Sequence, residues 1–400
     1  MKHKKQAYES EIIEHNQGNA SLPDLSGNRR LRTGRYAHAR RRKAAGVLTF
    51  SASPGLITRT QLPGPDNLQH VQTVQLYIFN GTGNDAQCVA SEAVDWEDIK
   101  APANGANTAS KTHPVQYNQF TAGQPYTFLA IGMDNCSGDT YGLPAAVQVG
   151  QTTLSDAKAV LASGKSRNDI AVSELFGGST VLTPVEKGQI TGTIDLYRRV
   201  AGVMGWFKNI PKQVNGKDVS SLRIELYKAQ NKSIWLTKPQ SGADVIMEPI
   251  AENDDNKTLV QIDLKDTDFG PETVVSKGSY VLPMIAPFAT ADEMTEAGYS
   301  DESIYVKDYT LRVVLADADG KVIQAKRVKN KDTNTNGGTE GGTGIITTSE
   351  AYRFPINANW FYPIGTKDAP IDWPEEGEDG NIVITVSPNW DWKGNLEWAD

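Results

Sequence analysis

Apolar and polar residues alternate in short runs along most of the chain, and Gly, Pro, Asn and Asp separate the runs. Residues 71–79 place three aliphatic side chains on one side of an extended strand and two aromatic side chains on the other. This pattern predicts a strand that is buried on both faces. Residues 126–133 repeat it. A succession of short strands with turn residues between them is typical of a β-sandwich.

The alternation also predicts further strands and one helix. Within residues 154–163, apolar side chains recur at helical spacing, and a Ser or an Asp can cap the segment. We therefore expect a helix there. The Asp319-Gly320 pair predicts a hairpin turn. Strands and helices do not alternate, which excludes a parallel α/β sheet. The further predicted strands are residues 47–51, 189–197, 200–207, 221–227, 258–264, 279–284, 309–315, 321–328, 347–354 and 381–386.

A chain of 400 residues fits two β-sandwich domains better than one. We expect an all-β fold with a disordered basic extension over residues 1–46. An N-terminal sandwich follows over 47–185, and a C-terminal sandwich with a terminal strand over 186–400. Residues 332–344, rich in Gly, Asn and Thr, indicate a long surface loop.

Charge is divided unevenly. Residues 1–48 hold eleven Lys and Arg against four acids, a net +7, whereas the remainder holds 29 basic and 44 acidic residues, a net −15. An acidic body argues against nucleic acid as the partner of the folded part. No stretch of 18 apolar residues predicts a membrane span, and no apolar segment follows the basic start as in a signal peptide.

The basic extension has three interpretations. Its arginines are candidate sites for an Arg-specific protease, because disordered segments are cut readily. They also suit binding to nucleic acid or anionic lipid. In the third interpretation the start codon has been assigned too far upstream, and the segment precedes the true protein. The candidate cleavage residues are Arg35, Arg40, Arg41 and Arg42.

Candidate catalytic groups are sparse. Only His70 and His113 of the five histidines lie outside the extension, and we interpret both as ordinary surface residues. No G-x-S-x-G elbow occurs, and Asp317–Gly320 lacks the spacing of a calcium loop. Gly177-Gly178 has no Lys-Ser/Thr companion, so we interpret it as a turn rather than a phosphate cradle. The sequence predicts no enzyme, no cofactor and no metal site.

Cysteine and tryptophan each leave alternatives open. Cys88 and Cys136 follow strand-like runs, where they form either one disulfide or two inert thiols, and we predict the disulfide. Tryptophan is concentrated in the last 41 residues, where it either stacks on sugar rings or anchors a core or an interface. The five tryptophans of that stretch are Trp360, Trp373, Trp390, Trp392 and Trp398.

Five segments resemble signature stretches of one family: residues 126–135, 173–179, 196–203, 354–362 and 382–390. They are similar to those of fimbrillins and FimB-like fimbrial anchor proteins of type V pili. The resemblance covers roughly residues 47–400.

The resemblance implies two tandem transthyretin-like, Greek-key β-sandwich domains. It also implies a non-enzymatic subunit or anchor of a fimbrium, exported as a lipoprotein to the outer membrane. Such subunits assemble by strand donation after an Arg-specific protease removes an N-terminal segment. This chain departs from the pattern because no lipobox cysteine precedes Cys88. A membrane anchor is therefore not visible in the sequence.

The candidate assembly strand follows the acidic residues 375–379 and consists of Ile382, Val383, Ile384 and Val386. Apolar side chains on both faces suit insertion into another subunit, although they also suit a last strand of the second sandwich. We expect other fimbrial subunits as partners by strand exchange, a host or microbial surface ligand, and no nucleic acid. The alternatives are a carbohydrate-binding surface lipoprotein using the tryptophan cluster and a glycan-acting enzyme.

The extension generates a first prediction. Limited trypsin digestion should trim the full chain to a stable fragment beginning near Lys43, because a disordered, Arg-rich segment is cut faster than a packed sandwich. Mass spectrometry of the digest identifies the new N-terminus. Resistance of residues 1–43 to trypsin would contradict the predicted disorder.

Overall fold

The computed structural model describes residues 46–52, 71–96, 109–185, 189–238, 244–330, 352–373 and 382–384. The fold of this part is all-β, with short helices only. The helices are α1 (Ser137–Tyr141), α2 (Arg167–Ile170), α3 (Asp254–Lys257), α4 (Ala291–Glu296) and α5 (Glu302–Tyr305). The strands are β1 (Gly46–Ala52), β2 (Thr73–Phe79), β3 (Cys88–Val94), β4 (Ala109–Val115), β5 (Tyr126–Met133), β6 (Lys158–Val160), β7 (Leu175–Leu182), β8 (Ile190–Arg198), β9 (Ala201–Lys208), β10 (Gln213–Val214), β11 (Lys217–Asp218), β12 (Ser221–Leu226), β13 (Ser233–Trp235), β14 (Thr258–Asp263), β15 (Val275–Val281), β16 (Leu311–Ala316), β17 (Val322–Asn330), β18 (Phe361–Ile364), β19 (Ile371–Asp372) and β20 (Ile382–Ile384).

The first sheet has seven strands in the order β3-β2-β5-β7-β8-β1-β4. Its neighbours are antiparallel except β1 and β8, which run parallel. Strands β7 and β8 share only two residue pairs, and the sheet folds over itself there. Side chains of β1 and β8, such as Phe50 and Ile194, therefore meet side chains of β2 and β5, such as Leu76 and Phe128, in one core.

A second sandwich follows. Its five-stranded sheet has the order β14-β12-β16-β17-β20, and its other sheet has the order β15-β9-β18, with β19 also paired to β9. Inward side chains of the two sheets form the largest apolar cluster, which includes Phe207, Ile224, Val313 and Tyr362. Alternation along β12 and β16 puts these side chains on one face of each strand.

A third cluster joins the two sandwiches. The outer face of β2 and β5, with Tyr77 and Leu129, packs against Trp206 of β9 and Leu282 after β15. Strand β6 pairs with β13 across the same junction. Strand β5 is consequently buried at all eight positions, as its sequence predicts.

Several sequence predictions can be compared directly with the strands. The predicted strand over residues 126–133 matches β5, and the Asp319-Gly320 hairpin between β16 and β17 is confirmed. The predicted helix over 154–163 is wrong. A single 3-10 turn covers Leu154–Asp156, and β6 follows it. Pairing with β13, over 70 residues later, overrides the local helical pattern.

The sheet order can be compared with the expected boundary between the two sandwich domains at residue 185. Strand β8, which lies after residue 185, belongs to the seven-stranded sheet. A boundary drawn from the sheets therefore falls between β8 and β9. The division into residues 47–185 and 186–400 stays a prediction, as does the transthyretin-like topology. The expected disordered extension lies outside the described residues, and β1 begins at Gly46.

The Gly177-Gly178 pair is not a turn, which corrects the sequence interpretation. Both residues lie within β7, where β8 approaches closely. A Cβ on Gly178 would lie 2.0 Å from the carbonyl oxygen of Asp195, and one on Gly177 would lie 2.7 Å from that of Leu236. Only a residue without a side chain fits between these backbones.

This contact generates a second prediction. We expect Gly178→Ala to lower the free energy of unfolding by about 1–3 kcal/mol, because the new Cβ must displace backbone atoms. The matched control is Gly138→Ala in α1, where the nearest atom to the new Cβ is 3.5 Å away and alanine favours the helix. Thermal and urea unfolding of both variants provide the measurement. Equal stability of the two would show that β7 and β8 do not need the close approach.

Candidate assembly edge

The predicted assembly strand lies at one edge of the second sandwich. Alternation along β17 buries Lys326, Val328 and Asn330 and leaves Arg327 and Lys329 exposed. Strand β20 pairs with it in parallel, with Val328 opposite Ile382, Lys329 opposite Val383 and Asn330 opposite Ile384. The pairing comprises these three residue pairs.

One side chain of β20 is fixed in the core. Ile382 is 4% exposed and belongs to the same apolar cluster as Val328. Val383 and Ile384 lie in the strand, whereas Val386 is outside the described residues. The structure therefore places the beginning of the predicted assembly strand against its own sandwich.

The chain before β20 is anchored on β17. Trp373, the residue after β19, is 3% exposed, and its indole N–H donates to the Gln324 side-chain oxygen at 2.9 Å. The Lys326 ammonium lies 5.0 Å from the centre of the indole ring, within the range of a cation–π interaction. Trp373 is thus held by two residues of the strand that also receives β20.

The opposite edge of the same sheet is blocked by side chains. Lys277 of β15 donates to the Gln261 carbonyl of β14 at 2.9 Å. Arg167 of α2 donates to the Thr258 carbonyl at 3.0 Å and pairs with Asp255 at 2.7 Å. These charged groups occupy acceptors that an incoming strand would need, which is a common protection of edge strands.

The two ends of the seven-stranded sheet are joined by Glu92 of β3. Its carboxylate accepts from His113 of β4 at 3.0 Å and from the backbone N–H groups of Gln116 and Tyr117 at 2.9 and 2.8 Å. Burial alone would raise the pKa of Glu92, but these donors outweigh it and hold the pKa below its usual value. His113 is 8% exposed, so its interpretation as a surface residue is wrong. His70 lies outside the described residues.

The two cysteines are free thiols in the structure, so the predicted disulfide is not formed. Cys88 begins β3 with its side chain buried in the core beside Tyr77, whereas Cys136 is half-buried at the start of α1. Burial raises the pKa of both thiols. Neither has the lowered pKa of a reactive cysteine.

The tryptophan cluster is only partly described. Trp373 is buried as above, and Trp360 is half-buried and stacked on Tyr362 with ring centres 6.5 Å apart. These two act as packing anchors rather than as an open platform for sugar rings. Trp390, Trp392 and Trp398 lie outside the described residues, as do the candidate cleavage residues Arg35, Arg40, Arg41 and Arg42.

In the part of the chain that the structure describes, no group of three or more His, Cys, Asp or Glu residues is arranged to hold a metal ion. None of its helices is long and apolar enough to cross a membrane.

One unusual group was missed by sequence reasoning. Lys228, which follows β12, is fully buried, and its ammonium nitrogen lies 4.6 Å from the centre of the Tyr305 ring without a hydrogen-bond acceptor. Burial lowers the pKa of Lys228 to about 7, opposed by the charges of Glu252 and Asp301. A lysine after an apolar strand gives no sequence signal of such burial. Because the amine is sealed from solvent, we assign it no chemical role.

Lys228 generates a third prediction. Its folded pKa is below its unfolded value, so the unfolded chain binds an extra proton between about pH 7 and pH 10. Wild-type stability should therefore rise with pH across that window. We expect Lys228→Met to raise the free energy of unfolding by about 2–4 kcal/mol at pH 7 and by almost nothing at pH 10. Paired unfolding curves at both pH values measure this.

The control for this comparison is Lys217→Met, at an exposed position of β11. It should change stability little at either pH. A loss of stability in Lys228→Met at pH 7 would instead show that the ammonium over Tyr305 stabilises the fold.

Several solved structures are similar to this chain, each at low sequence identity. They include the fimbrial anchor protein Mfa2 from Porphyromonas gingivalis (13% identity, 70% of this chain and 80% of that chain, TM-score 0.38). A fimbrial assembly protein from Parabacteroides distasonis matches at 11% identity (80% and 89%, TM-score 0.36). The tip fimbrial protein Mfa3 from Porphyromonas gingivalis, with a C-terminal truncation, matches at 12% (85% and 97%, TM-score 0.35).

The sequence itself decides the family. No curated protein matches the chain. Residues 48–395, however, match the profile of the fimbrillin-A associated anchor proteins Mfa1 and Mfa2. This match spans both sandwiches and the β17–β20 edge, and it confirms the resemblance seen in the sequence. The chain belongs to the family of fimbrillin-A associated anchor proteins.

Proposed function

We propose that this protein is a structural subunit or anchor of a cell-surface fimbria and that it joins neighbouring subunits by strand exchange through Ile382–Val386. One observation carries the proposal: β20 is a three-residue strand at a sheet edge, paired in parallel with β17. The other strands of its sheet are held by longer antiparallel pairings, as between β12 and β16.

The energetics favour exchange of this strand. Burial of Ile382 contributes roughly 1.5–3 kcal/mol, and each backbone hydrogen bond adds a net of about 0.5–1.5 kcal/mol. Release of β20 thus costs far less than opening the sandwich. The same backbone groups and apolar side chains can then pair with an edge or groove of another subunit. Exchange replaces the lost contacts with equivalent ones, so the net cost of assembly is small.

The family places the protein at the cell-surface fimbrium. We propose the outer membrane as the site of anchoring, other fimbrial subunits as the partners, and a structural rather than a catalytic role. Adhesion to a host or microbial surface ligand is compatible with this role, and nucleic acid is not expected as a partner. Removal of an N-terminal segment at Arg35, Arg40, Arg41 or Arg42 remains part of the proposal.

The proposal generates a fourth prediction. Truncation after Asp379 removes β20, and it should abolish association of the chain with other fimbrial subunits while the two sandwiches stay folded. Ile382→Ala should weaken association at least several-fold, because it removes the buried anchor of the strand. Light scattering measures association and thermal unfolding measures the fold.

The matched control is Leu259→Ala on β14, the opposite edge of the same sheet. Leu259 is 3% exposed and lies in the same apolar cluster as Ile382, so both substitutions cost roughly 2–5 kcal/mol of stability. Only the Ile382 variant should lose association. Equal association of the two variants would contradict the proposal. So would a truncation that unfolds the second sandwich but leaves association of the folded fraction unchanged. Either result would show that β20 stabilises only its own sandwich.

A further inference from the structure

We infer that the outer face of β16 and β17 binds an acidic polysaccharide through two arginine–tyrosine pairs and a neighbouring lysine. We call this surface the arginine–tyrosine face, and it comprises Tyr309, Arg312, Arg327, Lys329 and Tyr352. A ligand at this face does not depend on strand exchange, so the assignment goes beyond the proposed function.

Two cations lie directly opposite each other on this face. Alternation along β17 exposes Arg327 and Lys329, and Arg312 of β16 lies opposite Arg327 in the antiparallel register. Opposite residues have Cβ atoms about 4.5–5.5 Å apart, and like charges at such positions are destabilising. An anion bound between Arg312 and Arg327 would remove this repulsion, so the pair suits a ligand better than it suits the sheet.

A tyrosine ring supports each of the two arginines. The guanidinium carbon of Arg312 lies 5.3 Å from the centre of the Tyr309 ring, and that of Arg327 lies 4.4 Å from the centre of the Tyr352 ring. Both distances are within the range of a cation–π interaction. Stacking restrains the plane of a guanidinium group and leaves the N–H groups at its edge for hydrogen bonds. The two cations are therefore held in place before a ligand arrives.

The carboxylate beside Arg312 is shared with a second arginine. Glu225 of β12 is buried, and its carboxylate lies 2.8 Å from Arg312 and 3.0 Å from Arg223. One carboxylate thus serves two guanidinium groups, and a positive charge remains unbalanced at this position.

The other two cations of the face are balanced still less. Arg327 pairs with Asp308 at 3.0 Å, and both side chains are exposed, so the pair contributes little in water. Among the described residues, none forms an ion pair with Lys329. With Arg223 included, four cations meet two carboxylates, a net +2, whereas residues 49–400 carry a net −15. Exposed charges more than about 10 Å away are largely screened by salt, so the local excess determines what binds.

The chemistry of the face favours a sugar polymer over a protein. A protein partner binds around an apolar core that excludes water. The outward apolar side chains of β16, Val314 and Ala316, are buried, so the face presents mainly charged groups. A polysaccharide keeps its hydroxyl groups hydrated, and its acidic groups form paired hydrogen bonds with guanidinium groups. An acidic polysaccharide therefore matches both the charge and the polarity of the face.

Polygalacturonate, in which each sugar unit carries one carboxylate, tests the assignment on the full chain. The variant Arg327→Gln with Lys329→Gln removes two exposed cations and leaves the pair of Arg312 with Glu225 intact. Isothermal titration calorimetry at about 0.15 M salt measures the affinity. We expect the variant to bind roughly fivefold more weakly than wild type or worse, because each exposed ion pair contributes up to a factor of about five. Its unfolding temperature should match that of wild type.

The matched control is Lys212→Gln with Lys217→Gln, which removes the same charge from exposed positions next to β10 and on β11. It should keep the wild-type affinity. Equal losses in the two double variants would show a general attraction to positive charge and would overturn the inference. Wild-type protein that binds neither polygalacturonate nor dextran sulfate would overturn it too.

Two further probes define the ligand. Tighter binding of polygalacturonate than of dextran sulfate assigns the site to carboxylates, and the reverse order assigns it to sulfates; both results support an acidic sugar. Poly-glutamate that binds as tightly as either would show that the face recognises acidic peptides, which overturns the assignment to a polysaccharide. Truncation after Asp379 reports on strand exchange alone, so failure of the proposed function would leave polysaccharide binding unchanged.

Discussion

Strands β2 and β5 are buried on both faces, and the architecture of the molecule depends on that constraint. Their inner faces fill the core of the first sandwich, and their outer faces, with Tyr77 and Leu129, pack against the second. Each large side chain exposed by separating the sandwiches would cost roughly 1.5–3 kcal/mol. The two sandwiches therefore share a continuous apolar packing, which opposes their separation.

Such packing suits a protein of a fimbrial family. The apolar cluster between the sandwiches and the Glu92 link between the two outer strands of the first sheet both oppose opening of the fold. The two outer strands of the five-stranded sheet differ in how they are held. Strand β20 makes a short pairing with one buried side chain, Ile382, whereas charged side chains cover backbone carbonyl groups of β14.

Sequence reasoning succeeded where local pattern and tertiary environment agree. The strand over residues 126–133 is apolar at nearly every position because both of its faces are covered, and the Asp319-Gly320 turn is specified by its own backbone requirements. Sequence reasoning failed where a segment distant in sequence determines the local structure. Residues 158–160 form a strand because β13 lies beside them, and Gly178 is required by the approach of β8 rather than by a turn.

At the candidate assembly edge, too, the sequence predicted local structure but not the contacts between distant segments. A continuous apolar run identified Ile382–Ile384 as a strand, since the signal lies in the residues themselves. Its parallel partner was not predictable, because register with β17 depends on where Trp373 is anchored. The burial of His113 and Lys228 was missed for a related reason. Burial of a polar side chain is set by neighbours from other segments, such as Glu92 and Tyr305.

The parallel pairing of β1 with β8 has a consequence for the order of folding. Gly46 lies opposite Ile190, and Ala52 opposite Leu196, so β1 is synthesised long before its partner. Closing so long a loop is slow, and contacts this distant in sequence delay folding. Until β8 is available, apolar Leu48 and Phe50 have only β4 to pair with. The nascent chain therefore carries an incomplete sheet through much of its synthesis, when binding by a chaperone would protect it most from aggregation.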